Sequence, residues 1–302
     1  MYRFTIIIPH KNIPQLLRRC IESIPYRDDL QIIIVDDNSN LTEEEIQNFP
    51  GINKKNTEIY FTKEGKGAGY ARNIGLKYAK GEWILFADSD DIFLPTIGEI
   101  LESAEKQTAD IIYFGVIQKI QKSNESSEKP YIDLSQPLNK LIYNINPVWG
   151  KIFKKKLIDN YNITFDEVIY GNDIKFSSLC DFYASNIYII NKLGYSYIIR
   201  ENSLYTTRNI QWCICRYNVI MDLYVFMKKH NRKDLSKRYK ETGYYLLSFM
   251  QHHSHITHLK YLFKYGLQIK SLKIILVRFP ITILYYIRLK LLKTNLENKR
   301  FI

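Results

Sequence analysis

Cysteine is scarce in this 302-residue chain: Cys20, Cys180, Cys213 and Cys215 are scattered without framework spacing. A small disulfide-stapled scaffold is therefore excluded. The spacing of Cys213 and Cys215 suits an ordinary helix or strand better than a metal pair. The opening MYRFTIIIPHKN runs directly into a strand without a signal-peptide pattern. Together these absences lead to the expectation of a reduced protein on the cytosolic side. A membrane-spanning helix is not expected either, since the most apolar stretch, 274–287, falls short of the ~20 residues a span needs and is broken by Arg278 and Pro280. Acidic residues run out towards the end: residues 200–302 hold 20 Lys and Arg against 5 Asp and Glu, whereas residues 1–199 hold 23 against 26. The basic third must face something anionic, with nucleic acid, an acidic lipid surface or an acidic partner as candidates.

The chain is long enough for one large domain with an appendage, which excludes a free-standing peptide module. Its 24 Tyr and 15 Phe suit strands and sugar-stacking surfaces equally. Short β-branched runs at Phe4 to Ile8, Gln31 to Val35, Glu58 to Phe61, Trp83 to Ala87 and Ile111 to Val116 read as strands. Helical apolar spacing lies between them at Pro14 to Ile24, Thr42 to Asn48, Ala68 to Ala79 and Pro95 to Gln107. This alternation predicts an α/β domain with a mostly parallel sheet covered on both faces. Ligands of such sheets sit beyond the carboxyl ends of the strands. There the chain places Pro9-His10-Lys11-Asn12, Asp36-Asp37-Asn38-Ser39 and Asp88-Ser89-Asp90-Asp91. Three polar clusters at three strand ends predict one site.

The run Trp83 to Pro95, WILFADSDDIFLP, carries the sharpest chemistry. Like charges this close raise one another's pKa unless a cation or a set of donors neutralises them, so the cluster suits Mg²⁺ or Mn²⁺. An acidic turn capping the helix near Pro95 is the plainer explanation, but capping uses one carboxylate rather than three. Further on, Gln118 to Pro130 is polar and reads as a mobile loop on the site side of the sheet. Val148 to Phe153 reads as a strand, Asp173 to Tyr183 as a helix, Ile187 to Ile190 and Tyr195 to Ile199 as short strands, and the chain beyond about 205 as helices.

Taken together, IIIPHKN, IIIVDDNSN, KGAGYARNIGLKYAKGEWILFADSDD and YGNDIKF resemble the family 2 glycosyltransferases, inverting enzymes with the glycosyltransferase A fold. The resemblance is dense over residues 4–117, thins through Val148 to Asp173 and fades after about 205. It points towards bacterial enzymes that build capsule, lipopolysaccharide or other surface glycans. It implies a glycosyltransferase domain over 1–205, with a nucleotide-sugar half at 1–117 and an acceptor and catalytic-base half at 118–205, followed by a helical basic extension at 206–302.

The resemblance also assigns roles. Asp37, with Asp36 beside it, would accept a hydrogen bond from the nucleotide base, and uracil, thymine and guanine all present the required N–H. UDP-sugars are the expected donors. Pro9 and Asn12 would line base and ribose, and Gly67, Gly69, Arg72 and Asn73 would pass the nucleotide. Asp88-Ser89-Asp90 matches the DxD motif, with Asp90 as metal ligand and Asp88 as ligand or ribose contact; Asp91 would orient the loop or reach the donor sugar. Mn²⁺ or Mg²⁺ would neutralise the departing diphosphate. Inversion needs a base opposite the leaving group, and here the family's Glu-Asp reads Asn172-Asp173, leaving Asp173 as the base. Trp149 and Lys151 match pocket positions, and Arg200 and Ser203 resemble a segment that contacts diphosphate.

Two other classes share part of this pattern. IIIVDDN also resembles the acidic pair of receiver domains, which place it after their first strand rather than their second. A catalytically inactive nucleotide-sugar-binding module tethered to a membrane is the alternative that Asn172 leaves open. In the extension, 256–293 carries apolar residues such as Leu259, Leu262, Phe263 and Leu276, with Lys260, Lys264, Lys270 and Lys273 mostly off that stripe. This predicts amphipathic helices kinked at Pro280 on an anionic membrane surface, with no nucleic acid as partner. The expected place is cytoplasmic, peripheral on the inner face of the cell membrane, with a lipid-linked glycan as acceptor. His252, His253, His255 and His258 fit a solvated or interfacial helix face better than a zinc site.

Overall fold

The computed structural model describes residues 1–122, 125–132, 134–135, 138, 147–200, 209–271 and 273–298. The chain divides into two compact units, Met1–Thr206 and Thr207–Ile302.

The first unit opens as the alternating pattern predicts. β1 (Phe4–His10), α1 (Pro14–Glu22), β2 (Leu30–Asp36), α2 (Glu43–Gln47), β3 (Thr57–Phe61), α3 (Ala68–Tyr78) and β4 (Trp83–Phe86) follow in order. β1 is flanked by β2 and β4, and β3 adds beyond β2, all parallel. Every residue of β1 and β2 is buried, as expected of central strands covered by helices on both faces. Burying Ile6, Ile7 and Ile8 completely stabilises the unit by about 1.5–3 kcal/mol each. α1 starts with Pro14 at its first turn, and α2 opens with a capping box between Thr42 and Glu45.

The remaining strands complete a nine-stranded sheet among the described residues: β5 (Ile92–Phe93), β6 (Ile111–Lys122), β7 (Glu125–Ile132), β8 (Lys151–Lys154) and β9 (Ile187–Arg200). The order is β3-β2-β1-β4-β8-β6-β9-β5, with β7 beside the distal part of β6. α4 (Ile97–Ala104), α5 (Lys155–Asn160) and α6 (Asn172–Tyr183) lie between them in sequence.

Two expectations for this unit need correction. The described parts of the polar stretch 118–130 are not loop but the antiparallel strands β6 and β7, with Gln118 opposite Lys129 and Lys122 opposite Glu125. Its polarity is that of an outlying strand whose free edge meets water. The two short strands at 187–190 and 195–199 are one strand, β9. Its register against β6 slips at Phe114 to Val116, where Gly115 faces Leu193 and Val116 faces Tyr195. The bulge absorbs the polar Asn191 and Lys192 without ending the strand.

The second unit is helical: α7 (Ile210–Lys229), α8 (Lys233–His253), α9 (His255–Gln268), a π-helical turn (Ile274–Arg278) and α10 (Phe279–Asn298). Asn209 and Ser254 cap α7 and α9 through their side chains. Among the described residues no helix is long and apolar enough to cross a membrane. α9 is parted from the terminal helix at Lys270, which takes a left-handed conformation (φ 55°) just beyond α9. Pro280 follows closely on the π-helical turn within one continuous helical run, and such a turn is a common way for a helix to accommodate a proline's missing N–H. Cys213 and Cys215 are buried packing residues, and the Cys213 thiol donates to the Leu246 carbonyl. His258 is buried against the Tyr286 hydroxyl, 2.6 Å from its Nδ1, rather than on a solvated face.

Candidate active site

The carboxyl ends of β1, β2 and β4 converge through a hydrogen-bond network that sorts the acidic residues into different tasks. At the end of β1 the backbone N–H of Ile13 donates to His10 Nε2, so the ring carries its proton on Nδ1 and donates it to Asp36 Oδ2 at 2.7 Å. Ser39 gives Asp36 two further hydrogen bonds, from its amide and its hydroxyl. Burial works to raise the Asp36 carboxyl, but the His10 and Ser39 contacts prevail and hold it below the usual carboxylate range. Asp36 thus fastens the strand ends and does not face a ligand. Asn12, in a left-handed turn (φ 56°), joins the same loops: its side chain accepts from the Asn40 amide and its own amide donates to Ser39. Pro9 is a buried strand residue opposite Val35.

Asp37 is placed differently. Its Oδ2 accepts the backbone N–H of Gly67 at 2.8 Å and faces the Lys11 ammonium at 3.5 Å, while Oδ1 is buried with no partner. A carboxylate fixed on one oxygen and open on the other suits an N–H donor from a ligand. Gly67 (φ 96°) caps α3 in a backbone region that side chains rarely adopt. Gly69 lets α3 approach the 166–172 segment, since a Cβ there would meet the Asp166 carbonyl oxygen at 2.2 Å.

The guanidinium of buried Arg72 donates to Asp88 Oδ1 and, at 2.7 Å, to Asn172 Oδ1. Both arms of its fork are committed to protein, contrary to the expectation that they are offered to base or phosphate. The expectation for Asn73 also changes, because its side chain clamps the Phe165 backbone through both N–H and carbonyl. Arg72 ties the end of β4 to the first turn of α6, where half-buried Asp173 follows Asn172.

The three carboxylates of DSDD part company. Asp91 is fully buried: its oxygens accept the Tyr195 hydroxyl and the Ile198 amide, both at 2.8 Å. Burial first, then Asp88 and Asp90, push this carboxyl well above the usual range. Asp91 orients the loop and does not reach a sugar. The same Tyr195 hydroxyl accepts the Asp88 amide, and Arg19 donates to the Asp90 carbonyl. Ser89 is buried within the turn. The Asp90 side chain meets Arg200 at 2.5 Å. Burial and neighbouring Asp88 raise the Asp90 carboxyl by more than Arg200 offsets, so a further cation would be favoured there.

Among the described residues no group of three or more His, Cys, Asp or Glu side chains converges on a metal position. A divalent cation shared with a diphosphate needs only one or two protein carboxylates, and Asp88 and Asp90 fit that smaller requirement.

Lys151 does not line a pocket. It is wholly buried, 2.5 Å from the Ser177 hydroxyl and paired with Asp181, so it joins β8 to α6. Trp149 is likewise buried, stacked on Tyr195 and Tyr197 with Tyr131 at its edge. Ser203 lies outside the described residues. His10 and Lys11 fall in the first of the three predicted polar clusters without an individual role there, and nothing local in the sequence points to Arg19 or Tyr195.

Known proteins share this architecture. The sequence profile named glycosyl transferase family 2 matches residues 5–164. The GalNAc(5)-diNAcBac-PP-undecaprenol beta-1,3-glucosyltransferase of Campylobacter jejuni is 27% identical over 272 residues, which cover 82% of this chain and 82% of that protein. Glycosyltransferase GlyA of Streptococcus pneumoniae is 26% identical over 70% of this chain, which spans only 32% of GlyA. Residues 1–349 of Staphylococcus aureus TarS, in a crystal structure with UDP-GlcNAc, superpose with a TM-score of 0.65 at 18% identity, over 88% of this chain and 81% of that one. The last likeness establishes a common glycosyltransferase A fold, and with the profile match over more than half of its length this chain belongs to glycosyl transferase family 2.

Proposed function

We propose that this chain is an inverting, metal-dependent glycosyltransferase that moves a sugar from a nucleotide diphosphate donor, a UDP-sugar in the first instance, to a hydroxyl of a lipid-linked glycan in bacterial surface polysaccharide synthesis. The observation that carries the reading is the Arg72 bridge, which joins Asp88 of the DxD motif to Asn172, the neighbour of Asp173. Donor-holding and proton-accepting segments are thereby fixed to one side chain. The UDP-GlcNAc in the TarS complex and the undecaprenol-linked acceptor in the Campylobacter enzyme's name supply the donor and acceptor classes.

In this reading the free oxygen of Asp37 accepts the base N–H and the glycine-rich start of α3 lets the nucleotide approach the backbone. Asp90, with Asp88, would hold Mn²⁺ or Mg²⁺, whose contribution is to neutralise charge on the leaving diphosphate. Arg200 is the second cation on that side, aimed through Asp90. Asp173 takes the proton of the acceptor hydroxyl as the anomeric carbon gains positive character. The protein would work as a peripheral membrane enzyme on the cytoplasmic face. Ile256, Leu276, Ile281 and Leu284 are exposed in α9, the π-turn and α10, among Lys260, Lys264 and Lys273.

The test is a panel of nucleotide sugars with Mn²⁺ or Mg²⁺ and lipid-linked acceptors, following release of nucleoside diphosphate, with Asp90→Ala and Asp173→Asn as controls. Metal-dependent release from one donor, lost in both variants, supports the reading. Binding without release from any donor would favour the inactive binding module, the alternative kept open by Asn172 and by the guanidinium partners already on both DxD carboxylates.

A further inference from the structure

A cavity of about 440 Å³ in the helical unit is lined by Tyr224 and Lys228 of α7, by Asn231, and by Lys233, Ser236, Lys237 and Lys240 of α8. Asn231 takes a left-handed turn (φ 58°) that reverses the chain between the two helices. Lys233, Ser236, Lys237 and Lys240 follow at intervals of three, one and three residues, which puts them on one helix face. Tyr224 and Lys228 stand one turn apart on α7, and the lysine ammonium donates to the tyrosine hydroxyl at 3.2 Å.

Four exposed lysines share this lining with no acidic residue. The nearby Asp234 pairs with Arg232, and among the described ion pairs none involves a lining lysine. Lys233 opens α8 and Lys237 follows one turn later, at the end where the macrodipole is already positive and cations are disfavoured. Arg232, at the N-cap, makes no side-chain capping bond to relieve it. Local helix physics therefore does not account for these lysines, whereas an anion would be drawn by the ammonium groups and by the helix end together.

We propose that this cavity is a phosphate-group site, taking a phosphate or diphosphate on Lys233, Lys237, Lys228 and Lys240. The group belongs either to a lipid headgroup or to a soluble ligand. The assignment does not depend on the transferase reading.

The test uses the full chain, with Lys233→Gln/Lys237→Gln compared with Lys260→Gln/Lys264→Gln, which removes the same charge elsewhere in the unit. Inorganic pyrophosphate is titrated calorimetrically at fixed ionic strength in EDTA, so that no metal–diphosphate complex forms at the other unit, and phosphatidylglycerol and phosphatidylcholine vesicles are assayed by flotation. Circular dichroism melting checks that each variant is folded. At least tenfold weaker pyrophosphate binding in the 233/237 variant, with less than twofold change in the 260/264 variant, supports a soluble source. Loss of flotation with phosphatidylglycerol in the 233/237 variant, without measurable pyrophosphate binding by the unsubstituted chain, supports a headgroup. Equal effects of the two variants on pyrophosphate binding or, where pyrophosphate does not bind, a flotation loss in the 233/237 variant no greater than that of the 260/264 variant would overturn the proposal.

Discussion

Single side chains set the geometry here, and Arg72 is the clearest instance. A guanidinium can hold Asp88 and Asn172 at once because its donors spread in a rigid fork, whereas a lysine offers one point charge. Arg72→Lys is expected to lower sugar transfer by at least about 100-fold, since even small misplacements of reacting groups carry that cost, while its melting temperature falls only moderately; unchanged transfer would dissociate the bridge from function. Asp36 yields a pH prediction. Its folded-state carboxyl titrates below the unfolded value of 3.8, so the unfolded chain takes up the proton first on acidification. The stability it contributes is complete above pH 3.8 and is lost as pH falls through the folded pKa. Asp36→Asn, followed by urea denaturation between pH 2.5 and 7, should be less stable by about 1–3 kcal/mol at pH 7, with the difference narrowing at the acid end. The identity of these acids was legible in VDDNSN and DSDD, but their division of labour was not. Neighbouring side chains leave a strand end in different directions, and Asp36 and Asp91 are claimed by His10 and Tyr195, the latter more than a hundred positions away.

At the level of elements, the parallel core of strands was readable because β1, β2 and β4 are continuous apolar runs bounded by polar turns. The β6–β7 pair was not, because pairing with β9 supplies order that its own polar sequence does not announce. Tertiary partners, rather than local propensity, decide such strands. Lys151 shows the same limit: in sequence it stood beside a presumed pocket, yet it joins β8 to α6 through Asp181 and Ser177. Removing one member of a buried pair leaves the other charge uncompensated, which typically costs 3–5 kcal/mol. Lys151→Ala should therefore unfold at markedly lower urea than the unsubstituted chain. If its role is to seat α6, donor binding measured below the unfolding range should persist while transfer, for which Asp173 is the proposed base, declines; loss of both in parallel would assign it to the whole fold instead.

Across the whole molecule, the charge excess lies in residues 200–302 and the fold's chemistry lies before them. Such a division suits a protein that must work on an anionic surface while keeping its site free of nonspecific polyanions. In the helical unit Leu267, Leu276, Ile281, Leu284 and Ile287 remain exposed. Each Lys near an anionic surface contributes about 1 kcal/mol to binding, about a fivefold change in partition. Replacing Lys260 and Lys264 together with Gln should accordingly weaken adsorption to phosphatidylglycerol vesicles by about 30-fold, and raising salt should erase most of the difference by screening. Leu276→Asp/Leu284→Asp should weaken adsorption at low and high salt alike, because burial of apolar surface is not screened. Adsorption that ignores both pairs of substitutions would place the membrane contact elsewhere and leave the exposed apolar residues to a protein partner.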